Sequence, residues 1–170
     1  MRQKLKQTHT FVPTTVVYTN MGIEEEIKSD LSLRLETKTI INIIFTSRII
    51  EEGLLSHIKQ FDISAQQYNV LRILRGQKGA AANLSTVQER MVDKSSNTTR
   101  LIDKLIKKNF VKRQVCKKNR RKIELFITPQ GLDVLETLDP ITEENNKKQL
   151  ANLTKEELNT LNTLLDKLRN

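Results

Sequence analysis

The chain has 170 residues, long enough for one domain or for one domain with a helical extension. Its 37% hydrophobic residues, five glycines and abundant charge of both signs suit an ordered, helix-rich globule, and a single cysteine excludes an internal disulfide framework and fits a reducing cytoplasm. A net charge of +9 points to an anionic partner, and no apolar run approaches the roughly 20 residues that span a bilayer, so no membrane partner is expected.

Residues 1–23 read as an N-terminal arm. They carry Arg2, Lys4 and Lys6 without an apolar core, so no secretory signal is expected, and Met21 would itself make a normal start. Thr14 to Tyr18 has strand propensity. A long helix is predicted from about Glu24 to Ile58, with Glu24, Glu25 and Glu26 at its positive dipole end. Its apolar positions, Leu33, Ile40, Ile41, Ile44 and Ile49 among them, spill around the helix, as expected if more than one partner buries it.

Ser64-Ala65-Gln66-Gln67 is a capping box, with Ile63 and Tyr68 as its staple, and predicts a helix from Ala65 to about Arg75. A Gly-bounded loop follows over 76–83. Ser85-Thr86-Val87-Gln88 repeats the box and predicts a short helix over 86–92. A further helix is predicted from Ser95 to Lys108, where Leu101, Ile102, Leu105 and Ile106 form an inward stripe and Asn109 provides a left-handed terminus. Val111 to Cys116 and Ile123 to Thr128 alternate as paired strands around a charged turn. Thr128-Pro129 opens a helix reaching about Asn152, and Thr154-Lys155-Glu156-Glu157 caps a last one over 155–167.

The charge is concentrated on two of these elements. Between Lys94 and Lys122 lie twelve Lys or Arg residues and one acid, Asp103, so this segment carries +11 and the remainder −2. It opens with Ser95, Ser96, Asn97, Thr98 and Thr99, followed by Arg100, and closes with Lys117, Lys118, Asn119, Arg120, Arg121 and Lys122. One helix start needs one cap and a helper, so five small polar residues in a row exceed that need. They suit the reading of base edges, with Ser96, Thr99 and Arg100 best placed opposite the Leu101/Leu105 stripe. For Lys117, Lys118, Arg120 and Arg121 the plain alternative is a solvated turn. Their position after such a helix favours phosphate or minor-groove contact, with Arg120 or Arg121 the better inserter.

The order of elements, helix–turn–helix then basic hairpin, describes a winged helix. Here the sequence resembles the MarR-type transcription factors. Ile63-Ser64-Ala65-Gln66-Gln67-Tyr68-Asn69-Val70-Leu71 is similar to the family's second-helix pattern, and Asp93 to Leu105 to its recognition helix. Asn119-Arg120-Arg121 followed by Ile127-Thr128-Pro129-Gln130-Gly131 is similar to its wing, whose usual form begins with aspartate where Asn119 stands, so an Asp–Arg pairing at the tip is absent or replaced.

The resemblance implies a mainly α (α+β) fold. It places a winged helix-turn-helix lobe over 61–128 and a helical dimerisation region over 24–60 and 129–170. It further implies a homodimer on a pseudo-palindromic double-stranded operator, and a small aromatic anionic effector in a crevice; Ile44, Arg48 and Tyr68 are candidates for its lining, but core and surface roles are the favoured reading of them. The expected function is a sequence-specific regulator, in the form of a dimeric repressor released by a ligand. A nonspecific or architectural nucleic-acid binder is the alternative. The leucine-rich end of the chain (Ile141, Leu150, Leu153, Leu158, Leu161, Leu164, Leu165, Leu168) independently suggests a dimer surface. Cys116 is read as an inert strand cysteine rather than a redox sensor. His9 and His57 stand too far from other ligands or bases for a metal site or a catalytic pair, and no phosphate loop or nucleophile elbow occurs, so no enzyme, cofactor or metal is expected.

Overall fold

A computed structural model describes residues 21–116 and 119–170, with every side chain among them except that of Arg121. The Thr14–Tyr18 strand reading, with the rest of 1–20, lies outside the described residues. The elements run α1 (Ile23–Glu26), α2 (Leu35–Ile58), a 3₁₀ turn (Lys59–Phe61), α3 (Ala65–Arg75), α4 (Leu84–Arg90), α5 (Thr98–Lys107), β1 (Val111–Cys116), β2 (Asn119–Ile127), α6 (Pro129–Gln149) and α7 (Lys155–Arg169). The chain divides into two compact units at Phe45/Thr46.

In the first unit the single long helix expected from Glu24 gives way to two. Lys28 takes a left-handed φ of 54°. The N–H of Ser29 then bonds to Glu24 O (2.8 Å) and that of Lys28 to Glu25 O (3.1 Å), which terminates α1 in a Schellman motif. The Ser29 hydroxyl both donates to Leu31 O and accepts from Leu31 N–H. A serine that satisfies nearby backbone in this way competes with helix, and the long-helix reading overlooked it.

The second unit holds the core. Ile58, Tyr68, Val70, Leu71, Leu74, Val87, Met91, Ile102, Leu105, Val111, Leu125, Leu135 and Leu138 form one buried cluster drawn from α2 to α6. β1 and β2 pair antiparallel from Val111↔Ile127 to Val115↔Ile123, with an irregularity before Cys116↔Asn119. Ala82 forms an isolated antiparallel bridge to Leu125, adding a minimal third strand just before α4. The result is a mainly helical winged helix. The second strand starts four residues earlier than the sequence suggested, because Asn119 pairs with Cys116 beyond the irregularity.

Both expected capping boxes at Ser64/Gln67 and Thr154/Glu157 are formed. The third is replaced. Asn83, not Ser85, caps α4 by accepting from Thr86 N–H at 2.8 Å, and Ser85 lies inside the helix. Asparagine at the end of an extended bridge is simply better placed than the serine two residues on.

The tightest joint in the unit lies between the end of α5, the base of the hairpin and the start of α6. Asn109 (φ 60°) closes α5 as expected, with Asn109 N–H to Ile106 O at 2.9 Å and Phe110 N–H to Leu105 O at 3.0 Å. Thr128 N–H donates to Phe110 O (3.0 Å), its hydroxyl donates to Asn109 O (2.7 Å), and the same oxygen accepts from Gly131 N–H (3.0 Å). A Cβ at Gly131 would sit 2.4 Å from Phe110 O, so only glycine fits there. Gly131→Ala is therefore expected to cost about 1–3 kcal/mol through overpacking against backbone. Urea unfolding followed by circular dichroism would show it as a lower midpoint with an unchanged slope.

Candidate nucleic-acid interface

The basic segment occupies the head of α5, its body, and the hairpin. Its opening is built differently from the sequence expectation. α5 begins at Thr98 rather than Ser95, and Asn97 is its cap, accepting from Arg100 N–H at 3.1 Å. Ser95 and Ser96 belong to a turn held by Asp93. Oδ1 of Asp93 accepts from the Ser95 N–H (3.0 Å) and hydroxyl (2.6 Å), and Oδ2 accepts from the Ser96 hydroxyl (2.8 Å). An Asx turn satisfies these groups locally, so they have no need of the helix. The hydroxyl and N–H donors of Ser95 and Ser96 hold the Asp93 carboxyl below the usual carboxylate range. A depressed folded pKa means the tie is fully present above the ordinary aspartate value of about 4 and is lost as pH falls through the lowered value.

This geometry decides what each hydroxyl can still do. With their protons committed to Asp93, Ser95 and Ser96 offer lone pairs outward and can accept from a base amino group, whereas phosphate oxygens, which need a donor, are poor partners for them. Thr98 is corrected: it is only 3% exposed, and its hydroxyl donates to Gln88 Oε1. Facing inward, it ties α5 to α4 and cannot touch a ligand on the outer face. Thr99 and Arg100 are exposed, and Arg100 forms no ion pair among the described residues.

On the hairpin, Arg120 and Lys122 are exposed, while Lys117, Lys118 and the side chain of Arg121 lie outside the described residues. Asp103, the lone acid of the segment, pairs with Arg113 at 3.3 Å and so links the middle of α5 to β1. Lys112 stands over the Phe126 ring at 5.3 Å, and the Gln114 amide donates to Glu124 at 2.9 Å. The thiol of Cys116 also bonds to Glu124, which, with Gln114, holds that carboxylate below its ordinary range. Asp93, Gln88 and Asp103 were missed as positioning residues. The Asp-x-Ser-Ser spelling of 93–96 was the available signal for the first.

Behind this head lies a crevice of about 600 Å³ bounded by α2, α3, the α4–α5 turn and α6. Of the three candidates only Tyr68 is among its lining residues, and it is at the same time part of the core, whereas Ile44 and Arg48 do not line it. Its polar lining includes Arg72, stacked over Tyr68 at 5.7 Å, and Arg75, which pairs with Asp139. Asn69 and Asp93 line it too, and Asn69 Oδ1 accepts from Val92 N–H at 2.9 Å, tethering the α4–α5 turn to α3. No helix among the described residues is long and apolar enough to cross a membrane.

Residues 63–123 match the model of the MarR family. A putative MarR-like transcription regulator from Bacillus cereus ATCC 10987 is 25% identical, with 79% of this chain and 95% of that one covered at a TM-score of 0.69. The organohalide-sensing RdhR-CbdbA1625 transcriptional regulator in its 2,4-dichlorophenol-bound form is 19% identical over 91% and 87% of the two chains, with a TM-score of 0.74. A mutant MarR from E. coli complexed with operator DNA is 24% identical over 80% and 99%, at 0.69. No curated protein matches. The fold and the helix-turn-helix segment are thus those of MarR-like transcription regulators.

Asp93→Ala is expected to weaken binding to duplex DNA about ten-fold, the scale of one or two net hydrogen bonds, by loosening the turn that aims Ser95 and Ser96. Because the turn is on the surface, the urea midpoint should move little, and fluorescence anisotropy beside an unfolding curve would separate the two effects.

Proposed function

We propose, from a MarR-type winged helix as premise, that this chain is a sequence-specific double-stranded DNA-binding transcriptional regulator, working as a homodimeric repressor released by a small ligand. The observation that carries the reading is the placement of the +11 segment along one helix and the hairpin that follows it. In it, exposed Thr99 and Arg100, with the outward lone pairs of Ser95 and Ser96, read base edges. Asn97 contributes through its cap more than through contact. Arg120 and Arg121, with Lys117 and Lys118, hold the backbone or enter the minor groove. One such lobe covers one half-site, so two copies on a pseudo-palindrome are the natural arrangement.

Support for the second copy comes from α7. None of its residues is buried, and Leu164 and Leu168 are 58% and 60% exposed at helical spacing. An apolar stripe of this kind on a terminal helix suits an isologous partner. The crevice supports the ligand. Its lining combines the edge of Tyr68, Arg72 and Arg75 with the carboxylates of Glu51, Asp93, Asp139 and Glu143, so it offers both donors and acceptors, and relatives include a regulator described as controlled by 6-hydroxynicotinic acid and one bound to 2,4-dichlorophenol. A ligand there touches Asn69 and Asp93, the two residues that fix the α4–α5 turn, and so favours one placement of the α5 head over another.

Selection of bound duplexes from a random pool tests specificity and symmetry together. A two-fold symmetric winner bound some 10³-fold tighter than background at fixed salt supports the regulator, and a ratio near one supports an architectural binder instead. Arg120→Ala or Arg121→Ala should weaken binding to all sequences and reduce the salt slope by about one. A variant that keeps the parent slope removes that arginine from the interface. Leu164→Arg with Leu168→Arg should yield a monomer by sedimentation and at least a ten-fold loss of operator affinity.

A further inference from the structure

The crevice behind the α5 head has a lining whose charge runs against that of the chain. Four carboxylates, Glu51, Asp93, Asp139 and Glu143, face it with two guanidinium groups, Arg72 and Arg75, so its wall carries −2 in a chain of +9. Its donors are largely spent. Arg75 is held by both oxygens of Asp139, and Arg72 lies over the Tyr68 ring. The Thr142 hydroxyl donates to Asp139 O (3.0 Å), so in its contact with Tyr68 (3.3 Å) the phenol is the donor and keeps no proton for a ligand.

Glu51 on α2 and Glu143 on α6 are in a different position. Both are exposed, and neither makes a hydrogen bond or ion pair among the described residues. Exposed acids are ordinarily just solvated. These two, however, come from separate helices onto one concavity whose wall also holds uncovered apolar side chains, Ile50 at 43% and Val92 at 87% exposure. No three His, Cys, Asp or Glu side chains among the described residues are grouped to hold a metal ion. The space, about 600 Å³, suits a molecule with an apolar body and a positive head.

Asp93 gives that charge a consequence. Its carboxylate accepts from the Ser95 N–H, the Ser95 and Ser96 hydroxyls and the Gln66 side chain. A carboxylate offers about four acceptor sites, so these donors fill it. A cation that pairs with Asp93 therefore displaces a donor, and three of the four fix Ser95 and Ser96 beside the α5 head. An anion cannot compete in this way.

We propose, resting on the reading of this crevice as the ligand site, that its ligand is a small organic cation. Its ammonium or amidinium head is neutralised by Glu51 and Glu143 and competes for Asp93, while its apolar body covers Ile50 and Val92. That sign is opposite to the anion which the resemblance implies. Cation and duplex then weaken one another by the same factor, because both draw on the Asp93 turn.

Calorimetric titration of the full chain with benzamidine, a cation at neutral pH, and with benzoate, its near-isostere of opposite charge, separates the two classes at fixed ionic strength. Benzamidine is expected to bind saturably, one equivalent per chain, and tighter than benzoate, although the net charge of the chain favours benzoate. Glu51→Gln with Glu143→Gln should weaken benzamidine about ten-fold, the scale of two exposed ion pairs, without weakening benzoate. Asp133→Asn with Glu156→Gln, acids elsewhere on α6 and α7, should change neither. Saturating benzamidine should also loosen binding to duplex DNA, and a duplex affinity that it leaves unchanged sinks the competition for Asp93. Absence of saturable benzamidine binding, benzoate binding at least as tightly, or equal weakening by both pairs of substitutions overturns the proposal. Benzoate that binds where benzamidine does not overturns only the sign of the ligand and leaves the regulator standing. A duplex pool with no preferred winner removes the regulator, and the titration still decides for or against the cation.

Discussion

The hydroxyl of Thr128 is the point on which the winged helix turns. It donates to the carbonyl that ends α5 and accepts from the amide that begins α6, while its own backbone N–H bonds to Phe110 at the foot of the hairpin. Three elements with different jobs therefore share one residue: the helix proposed to read bases, the strands that carry the basic tip, and the long helix leading to the exposed leucines of α7. Gly131 lets them approach this closely, and Asn109 supplies the left-handed step that turns the chain back. The Ile127-Thr128-Pro129-Gln130-Gly131 signature is thus explained by packing and capping, and it specifies how the wing is mounted rather than what the wing contacts.

Electrostatics and hydrogen bonding play separate parts in the proposed interface. Positive charge is spread along α5 and the hairpin, where it can draw in any polyanion. Discrimination depends on which side-chain protons remain free. Asp93 commits those of Ser95 and Ser96, Gln88 takes that of Thr98, and Asn97 spends its acceptor on a backbone amide. Five polar residues that look equivalent in the sequence consequently differ in what they can offer a base pair.

Most of the fold was legible in the sequence because its signals are local. The capping boxes at Ser64 and Thr154, proline after Thr128, asparagine at the end of α5 and the alternation of β1 each act within four or five residues. The misreadings also share a cause. At Ser29, Asn83 and Asp93 a short polar side chain bonds to backbone two or three positions away and moves a helix boundary, an effect that hydrophobic periodicity does not register. The site was legible in its charge but not in its internal partners, since the Asp103–Arg113 link and the Asn69–Val92 tether join residues distant in sequence.

α3 is only eleven residues long, and Arg72 is its one exposed position. Its remaining side chains are divided among the core, the crevice of Tyr68 and Asn69, and a second, lysine-lined concavity beside Gln67. A segment with obligations on every side has almost no freedom to drift. Substitutions there should be tolerated far less often than in α7, where only Leu158 and Leu165 are even half-buried. Geometry alone is thus expected to steer accumulating substitutions away from the third helix.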